Sequence, residues 1–105
     1  MLVRLAKIED EVKISSLIAQ FRVELRRLKG ITSKPKIDLV KEEFREYIEA
    51  KYPIFVAEND NELLGYLVCR IEGSVVWVES IFVLNAVRRS GIALRLYKEV
   101  ENIAS

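Results

Sequence analysis

Two consecutive segments in the second half of the chain constrain the fold most. They span residues 63–72 and 75–83, and almost every position in them is apolar, on both alternating faces. A strand that alternates apolar and polar residues can leave one face in water, whereas these segments need cover on both faces. The pattern therefore predicts a mixed, mostly antiparallel sheet packed between helices, which is an α/β (α+β) architecture.

Three other segments have the helical periodicity that could supply this cover. Their apolar stripes consist of Ile14, Leu17, Ile18, Phe21, Leu25 and Leu28 in the first, Val40, Phe44, Tyr47 and Ile48 in the second, and Ile92, Leu96, Val100 and Ile103 in the last. Asp10 and Asp38 precede the first two stripes as expected N-caps, and Gly30 follows the first as a left-handed C-cap. With short strands at 2–7 and 54–58, the predicted order is β-α-α-β-β-β-α.

Composition narrows the class of protein. A chain of 105 residues with 50% hydrophobic and 31% charged residues is typical of one globular domain, here residues 1–105. A net charge of +1 implies no general attraction to nucleic acid or to a membrane surface. One cysteine, Cys69, and no histidine argue against a disulfide framework and a transition-metal site. We therefore expect a cytoplasmic protein, with Cys69 as a small core residue.

The segment 75–104 reads as a strand, a short basic loop and a helix. The loop and helix start are Arg88-Arg89-Ser90-Gly91-Ile92-Ala93. Free backbone N–H groups at a helix N-terminus, next to two arginines, favour binding of a phosphate-bearing cofactor. Gly91 removes a Cβ where a diphosphate would approach. The two arginine side chains either bind phosphate or belong to a solvated basic loop.

This loop resembles the acetyl-CoA-binding signature of the GNAT superfamily of N-acetyltransferases, Arg/Gln-x-x-Gly-x-Gly/Ala. The stretches 55–58 (FVAE) and 64–67 (LGYL) are similar to the central hairpin of that family, and 77–83 is similar to its fourth strand. The resemblance implies an acyl-CoA N-acyltransferase-like fold. It also implies transfer of an acetyl group from acetyl-CoA to a primary amine on a small molecule or peptide.

Within that family, the pantetheine arm pairs with the fourth strand and the pyrophosphate lies on the loop that follows. The resemblance therefore implies main-chain pairing around Ile81, Phe82 and Val83. It places the pyrophosphate on the N–H groups of Arg88, Arg89, Ser90, Gly91, Ile92 and Ala93. No metal is implied.

Glu79 is the candidate catalytic residue. Strand alternation gives it the apolar same-face neighbours Val75, Trp77, Ile81 and Val83, so a carboxylate there requires a reason. The acceptor amine must lose a proton before it attacks, since its ordinary pKa is about 10. Glu79 could remove that proton directly or through a water. The alternative is a glutamate that is paired with an arginine or that points to solvent at the sheet edge.

The resemblance also implies a fifth strand, a fourth helix and usually a final hairpin, none of which follows residue 105 in this sequence. On this basis we expect a truncated domain, inactive or incomplete as this chain alone, with one wall of the pantetheine slot. The strand 75–83 would then be an open edge. The alternative function is a non-catalytic module that forms a homodimer, or binds a partner, through this edge.

Overall fold

The computed structural model describes residues 1–30 and 37–104 and confirms the predicted order of helices and strands. The strands are β1 (Leu2–Leu5), β2 (Ile54–Asn59), β3 (Glu62–Glu72) and β4 (Val75–Val83), and the helices are α1 (Glu11–Leu28), α2 (Ile37–Glu49) and α3 (Ile92–Ala104). Short 3₁₀ turns, Ile8–Asp10 and Asn85–Val87, precede α1 and α3. The Gly, Ser and Pro content of residues 30–38 also predicts a loop, of which residues 31–36 lie outside the described residues. The side chain of Asp38, the predicted cap, is likewise not described.

The four strands form one sheet in the order β1-β2-β3-β4. Every pairing is antiparallel, so the sheet is not mixed. Asp60 and Asn61 connect β2 to β3 with φ angles of 51° and 64°, and Asn59 pairs with Glu62. Two central residues with positive φ are typical of the type I′ turn that suits the twist of a hairpin.

Helices cover both faces of the sheet, as the apolar strands require. On one face α1 and α2 enclose a core of Ile14, Leu17, Ile18, Val40, Phe44, Ile54, Val56, Leu63, Tyr66, Val68 and Phe82. On the other face α3 encloses Phe55, Ala57, Leu67, Cys69, Val83, Ile92, Leu96 and Val100. Cys69 is fully buried, and burial raises the pKa of its thiol. It is therefore a core residue rather than a reactive one.

The predicted apolar stripes extend beyond the core at the C-terminal ends of all three helices. Leu25, Leu28, Ile48 and Ile103 were expected to be buried, but they are 41%, 85%, 39% and 38% exposed. Each lies in the last turn or two of its helix. Periodicity identifies the side of a helix that faces the core, but the length of the contact depends on where the sheet ends.

A β-bulge in β4 changes the environment expected for Glu79. Ser80 pairs with Val68 and Val78 pairs with Cys69, so Glu79 is the extra residue between them. Ile81 packs on the α3 side, whereas Trp77 lies opposite Arg70 on the other side. The expectation that Glu79 shares a face with Trp77, Ile81 and Val83 together is therefore wrong, because the bulge shifts the alternation by one residue and separates Trp77 from Ile81 and Val83. Arg70 contacts both Glu79 and Trp77.

An ion triad fixes the start of the chain to the sheet. Two guanidinium nitrogens of Arg4 donate to the two Asp10 carboxylate oxygens at 2.8 and 3.0 Å, and Nη2 also donates to Glu58 Oε2 at 3.0 Å. Asp10 also accepts from the Lys7 N–H at 2.7 Å, whereas its side chain makes no capping bond to α1. These bonds, led by the one from Arg4, lower the pKa of Asp10 and of Glu58.

We predict that this triad governs stability in acid. Because the folded-state pKa values lie below the ordinary value of about 4, the triad stabilises the protein above that pH. This contribution disappears as the pH falls further. Asp10→Asn should lower the free energy of unfolding at pH 7 by about 1–3 kcal/mol. In this variant the free energy of unfolding should also decrease less than in the wild type as the pH falls. Denaturant titrations at pH 7 and at about pH 3 would measure both effects.

The matched control is Glu11→Gln, which removes a carboxylate that pairs with the exposed Arg45. A surface pair of this kind contributes about 0–1 kcal/mol, so the control should stay near wild type. An Asp10→Asn variant with the wild-type acid profile would contradict the prediction.

Candidate functional site

The end of β4 is held close to β3 by a glycine. Gly65 pairs with Val83, and the Leu84 N–H donates to the Leu64 carbonyl at 2.9 Å. A Cβ on Gly65 would lie 2.8 Å from the Phe82 carbonyl oxygen, which is closer than side chains approach backbone. Gly65 thus sets the position of Phe82 and Val83, from which the chain enters the basic loop.

The loop between β4 and α3 exposes a row of backbone donors. Arg89 and Gly91 have φ angles of 71° and 83°, and the Ser90 hydroxyl donates back to the Val87 carbonyl. Among the described residues, no acceptor is recorded for the backbone N–H groups of residues 89–94. Left-handed residues in such a loop turn successive N–H groups toward one side, which creates an anion-binding concavity. The dipole of α3 adds positive potential at the same place.

These donors lie beside a cavity of about 640 Å³. Its walls include the predicted cofactor residues Ile81, Phe82, Val83, Arg88, Arg89, Gly91, Ile92 and Ala93. Ser90 lines a neighbouring cavity of about 580 Å³ instead, together with Arg95. A mostly apolar cavity of this size with a few convergent polar groups is typical of a small-molecule site.

The two arginines of the loop have different environments. Arg88 is held by the protein: its Nε donates to the Val83 carbonyl at 2.8 Å and its Nη2 to Glu24 Oε2 at 2.6 Å. Its guanidinium also lies 5.4 Å from the centre of the Phe82 ring. Arg89 is exposed, and no hydrogen bond or ion pair of its side chain is recorded within the described ranges. Arg89 therefore has its donors available for a ligand.

Glu79 lies apart from this cavity. Its Oε1 accepts from Arg70 Nε at 2.6 Å, and Arg70 also pairs with Glu72 and lies 5.6 Å from the centre of the Trp77 ring. This is the arginine-paired arrangement that the sequence left open as an alternative. Ser80, the next residue, hydrogen-bonds to Tyr66 at 3.0 Å, and burial raises the pKa of Tyr66 to about 12. Tyr66 is therefore a poor base at neutral pH.

Sequence reasoning missed five residues that line the cavity, namely Phe21, Glu24, Val87, Leu94 and Tyr97. Phe21 and Glu24 come from α1, and Tyr97 is 40% exposed on α3. Phe21 stacks on Phe82 with ring centres 5.3 Å apart. Phe21 belongs to an apolar stripe that reads as core, and Glu24 is on a charged helix, so no local signal distinguishes either one.

The cavity fits a diphosphate-bearing cofactor better than a metal. The free N–H groups, the unpaired Arg89 and the open space at the Cβ position of Gly91 suit an anion that approaches the backbone. A search of the described ranges finds no cluster of residues that could hold a metal ion. In the same ranges, no helix has the length and apolar character needed to cross a membrane.

A family model described as "Acetyltransferase (GNAT) family" matches residues 19–105. A comparison with curated proteins gives no match. Among solved structures, a Staphylococcus aureus protein assigned to the GNAT acetyltransferases superimposes with a TM-score of 0.79 at 21% identity. That match covers 97% of this chain and 89% of the other.

Two further structures have named activities. A ribosomal-protein-alanine N-acetyltransferase from Brucella melitensis matches with a TM-score of 0.76 at 20% identity, over 99% of this chain and 71% of that one. An aminoglycoside 6′-N-acetyltransferase in complex with coenzyme A matches with a TM-score of 0.74 at 17% identity. That match covers 99% of this chain and 55% of the other. At these identities the three structures establish a shared fold.

Proposed function

This chain belongs to the acetyltransferase (GNAT) family, and we propose that it transfers an acetyl group from acetyl-CoA to a primary amine. The observation that carries the proposal is the row of unpaired N–H groups at residues 89–94, which lies beside an apolar cavity. The coenzyme A complex of a protein with the same fold supports this choice of cofactor. The alternative of a non-catalytic module is not favoured, because it leaves this donor row without a role.

Bound acetyl-CoA would supply an activated acyl group, and the chain would supply position and charge. In this proposal the N–H groups from Arg89 to Ala93 hold the diphosphate, and the Arg89 side chain adds a charge-assisted hydrogen bond. The Arg88 N–H, which the sequence-based prediction included in this row, instead donates to the Asn85 carbonyl at 3.4 Å. Ile81, Phe82 and Val83 border the pantetheine arm. No metal takes part. We place the protein in the cytoplasm because its one cysteine is a buried thiol.

We propose Glu79 as the group that removes the proton from the acceptor amine, which belongs to a small molecule or a peptide. Glu79 lies two residues before Ile81, which lines the cavity, and it occupies a bulge of the kind often found next to active sites. Arg70 holds the carboxylate now and would have to release it. The acceptor approaches from the α1–α2 side of β4 in this arrangement.

We predict that acetyl-CoA stabilises the protein through this loop. A ligand present at 100 times its dissociation constant adds about 2.7 kcal/mol to the free energy of unfolding. Thermal unfolding across a titration to millimolar acetyl-CoA would measure the effect. An unchanged melting temperature at the highest concentration would refute the proposed cofactor.

Gly91→Ala and Gly73→Ala form a matched pair for the same titration. Both glycines have positive φ (83° and 58°), and a Cβ would meet nothing within 4 Å at either position. Each substitution should therefore cost a similar backbone strain of about 1 kcal/mol. Only Gly91→Ala should weaken the binding of acetyl-CoA, because its Cβ would occupy the space that the diphosphate needs. Equal loss of binding in both variants would argue against the assigned loop.

We predict that Glu79→Gln lowers kcat at pH 7 by about a hundredfold or more, since general-base contributions are typically of this size. Arg70→Gln breaks the same ion pair but leaves the carboxylate in place, so it should retain kcat. Steady-state kinetics with an amine that the enzyme accepts would measure both. If the two variants lose the same activity, Glu79 acts only through its ion pair.

We also propose a homodimer joined through the outer edge of β4. Within the described sheet β4 pairs on one side alone, with β3. Val75, Trp77 and Val78 are 47%, 51% and 38% exposed, so this edge combines free backbone groups with apolar side chains. Such edges pair readily with a second strand, and two-fold pairs are the commonest oligomers.

We predict that light scattering gives twice the monomer mass at micromolar concentration. Val78→Lys should give a monomer, because a lysine on an edge strand blocks pairing. Val12→Lys, at a site on α1 that is 71% exposed, should remain a dimer. Since the pantetheine arm would use the same edge of β4, acetyl-CoA should lower the dimer fraction. A monomer mass for the wild type would exclude the homodimer.

A further inference from the structure

One ion pair joins α1 to the loop of the candidate site. Glu24 Oε2 accepts from Arg88 Nη2 at 2.6 Å, across 64 positions of sequence. We propose that Glu24 and Arg88 are positioning residues. In this role they hold the loop that follows β4 in the conformation that presents its N–H groups, without contacting the ligand themselves. The link to ligand affinity rests on the proposed function, whereas the link to loop conformation does not.

The pair is part of a closed ring of contacts. Phe21, one turn before Glu24 on α1, stacks on Phe82 at 5.3 Å with an angle of 16° between the rings. The guanidinium of Arg88 also contacts Phe82 and lies 5.4 Å from the centre of its aromatic ring. Arg88 Nε donates to the Val83 carbonyl at 2.8 Å. The end of β4, the loop and α1 are thus joined by stacking, hydrogen bonds and an ion pair. Breaking the ion pair would remove a charged link between α1 and the loop and leave the stacking of Phe21 on Phe82 in place.

The planar guanidinium explains why an arginine stands at this position. Its donors lie in one rigid fork, and here they reach the Val83 carbonyl, the Glu24 carboxylate and, at 3.5 Å, the side chain of Asn85. A lysine has one nitrogen and could satisfy only one of these directions well. Arg88 therefore donates its hydrogen bonds to acceptors within the protein, whereas the side-chain donors of Arg89 remain available to a ligand.

The loop needs such support because it contains an unfavourable backbone conformation. Arg89 has a φ of 71°, which is uncommon for a residue other than glycine. A conformation of this kind persists when the surrounding structure determines it, and its cost is of the order of 1 kcal/mol or more. Arg88 is the adjacent residue and its side chain is held at both ends. The ion pair thus counteracts relaxation of Arg89.

A purely electrostatic role for Glu24 would have the opposite sign. Glu24 lines the same cavity as Arg89, so its negative charge repels a polyanion bound there. If repulsion were its only effect, any removal of the carboxylate would strengthen binding. A positioning role predicts instead that the result depends on whether the new side chain still accepts a hydrogen bond from Arg88.

Two substitutions at this residue separate charge from position. Glu24→Gln removes the charge and keeps an oxygen for Arg88, whereas Glu24→Ala removes both. Hydrogen exchange of the protein without ligand would be measured at the amides of residues 88–94 and in β3. We expect Glu24→Gln to exchange like wild type and Glu24→Ala to exchange faster in the loop alone. Arg88→Lys should also exchange faster there, although it keeps its charge.

Coenzyme A binding by titration calorimetry supplies the second readout. Glu24→Gln should bind as tightly as wild type or more tightly, and Glu24→Ala about five- to tenfold more weakly. Glu11→Ala, which breaks a different ion pair of α1, the one with Arg45, is the control and should change neither measurement.

Loop exchange in Glu24→Ala that matches Glu24→Gln would overturn the positioning pair. A Glu24→Ala variant that binds coenzyme A as tightly as Glu24→Gln would overturn it as well. If wild type binds no coenzyme A, the proposed function fails, while the exchange data still decide whether the pair holds the loop.

Discussion

The structure depends on β3 being buried on both faces and paired on both edges. Its neighbours β2 and β4 satisfy its backbone, and α1, α2 and α3 cover its side chains. Two irregularities in the pairing with β4 then set the geometry of the site. Gly65 allows β4 to approach β3 closely at the end that leads to the basic loop. The bulge at Glu79 changes which face of the sheet the preceding side chains of β4 lie on. Both act through backbone contacts rather than through charged groups.

The proposed anion-binding part of the candidate site consists mainly of main-chain groups. The N–H groups of residues 89–94, the left-handed residues that turn them and the dipole of α3 need no particular side chain except at Gly91. Arg88 contributes by holding the loop, and Arg89 offers charge to a ligand.

The fold and the cofactor loop carry little information about the acceptor. Proteins with this architecture include an enzyme named for an aminoglycoside and one named for a ribosomal protein alanine, each 20% identical to this chain or less. Function resides in the site rather than in the fold, so in the proposed acetyl transfer the acceptor would be selected by side chains around the candidate site. Glu24 on α1, Trp77 on β4 and Tyr97 on α3 are exposed or partly exposed groups whose roles the sequence did not indicate.

The amino-acid sequence alone determined the order of elements, the two-sided cover of the sheet and the position of the basic loop for which we propose anion binding. Each of these follows from signals within a few residues: periodicity, turn residues and glycine at a left-handed position. Only the tertiary structure decided the facing of Glu79, the exposure of Leu28 and the pairing of Glu24 with Arg88. Those features depend on a bulge set by a partner strand, on where the sheet ends and on a contact across 64 positions. No local pattern encodes such distances.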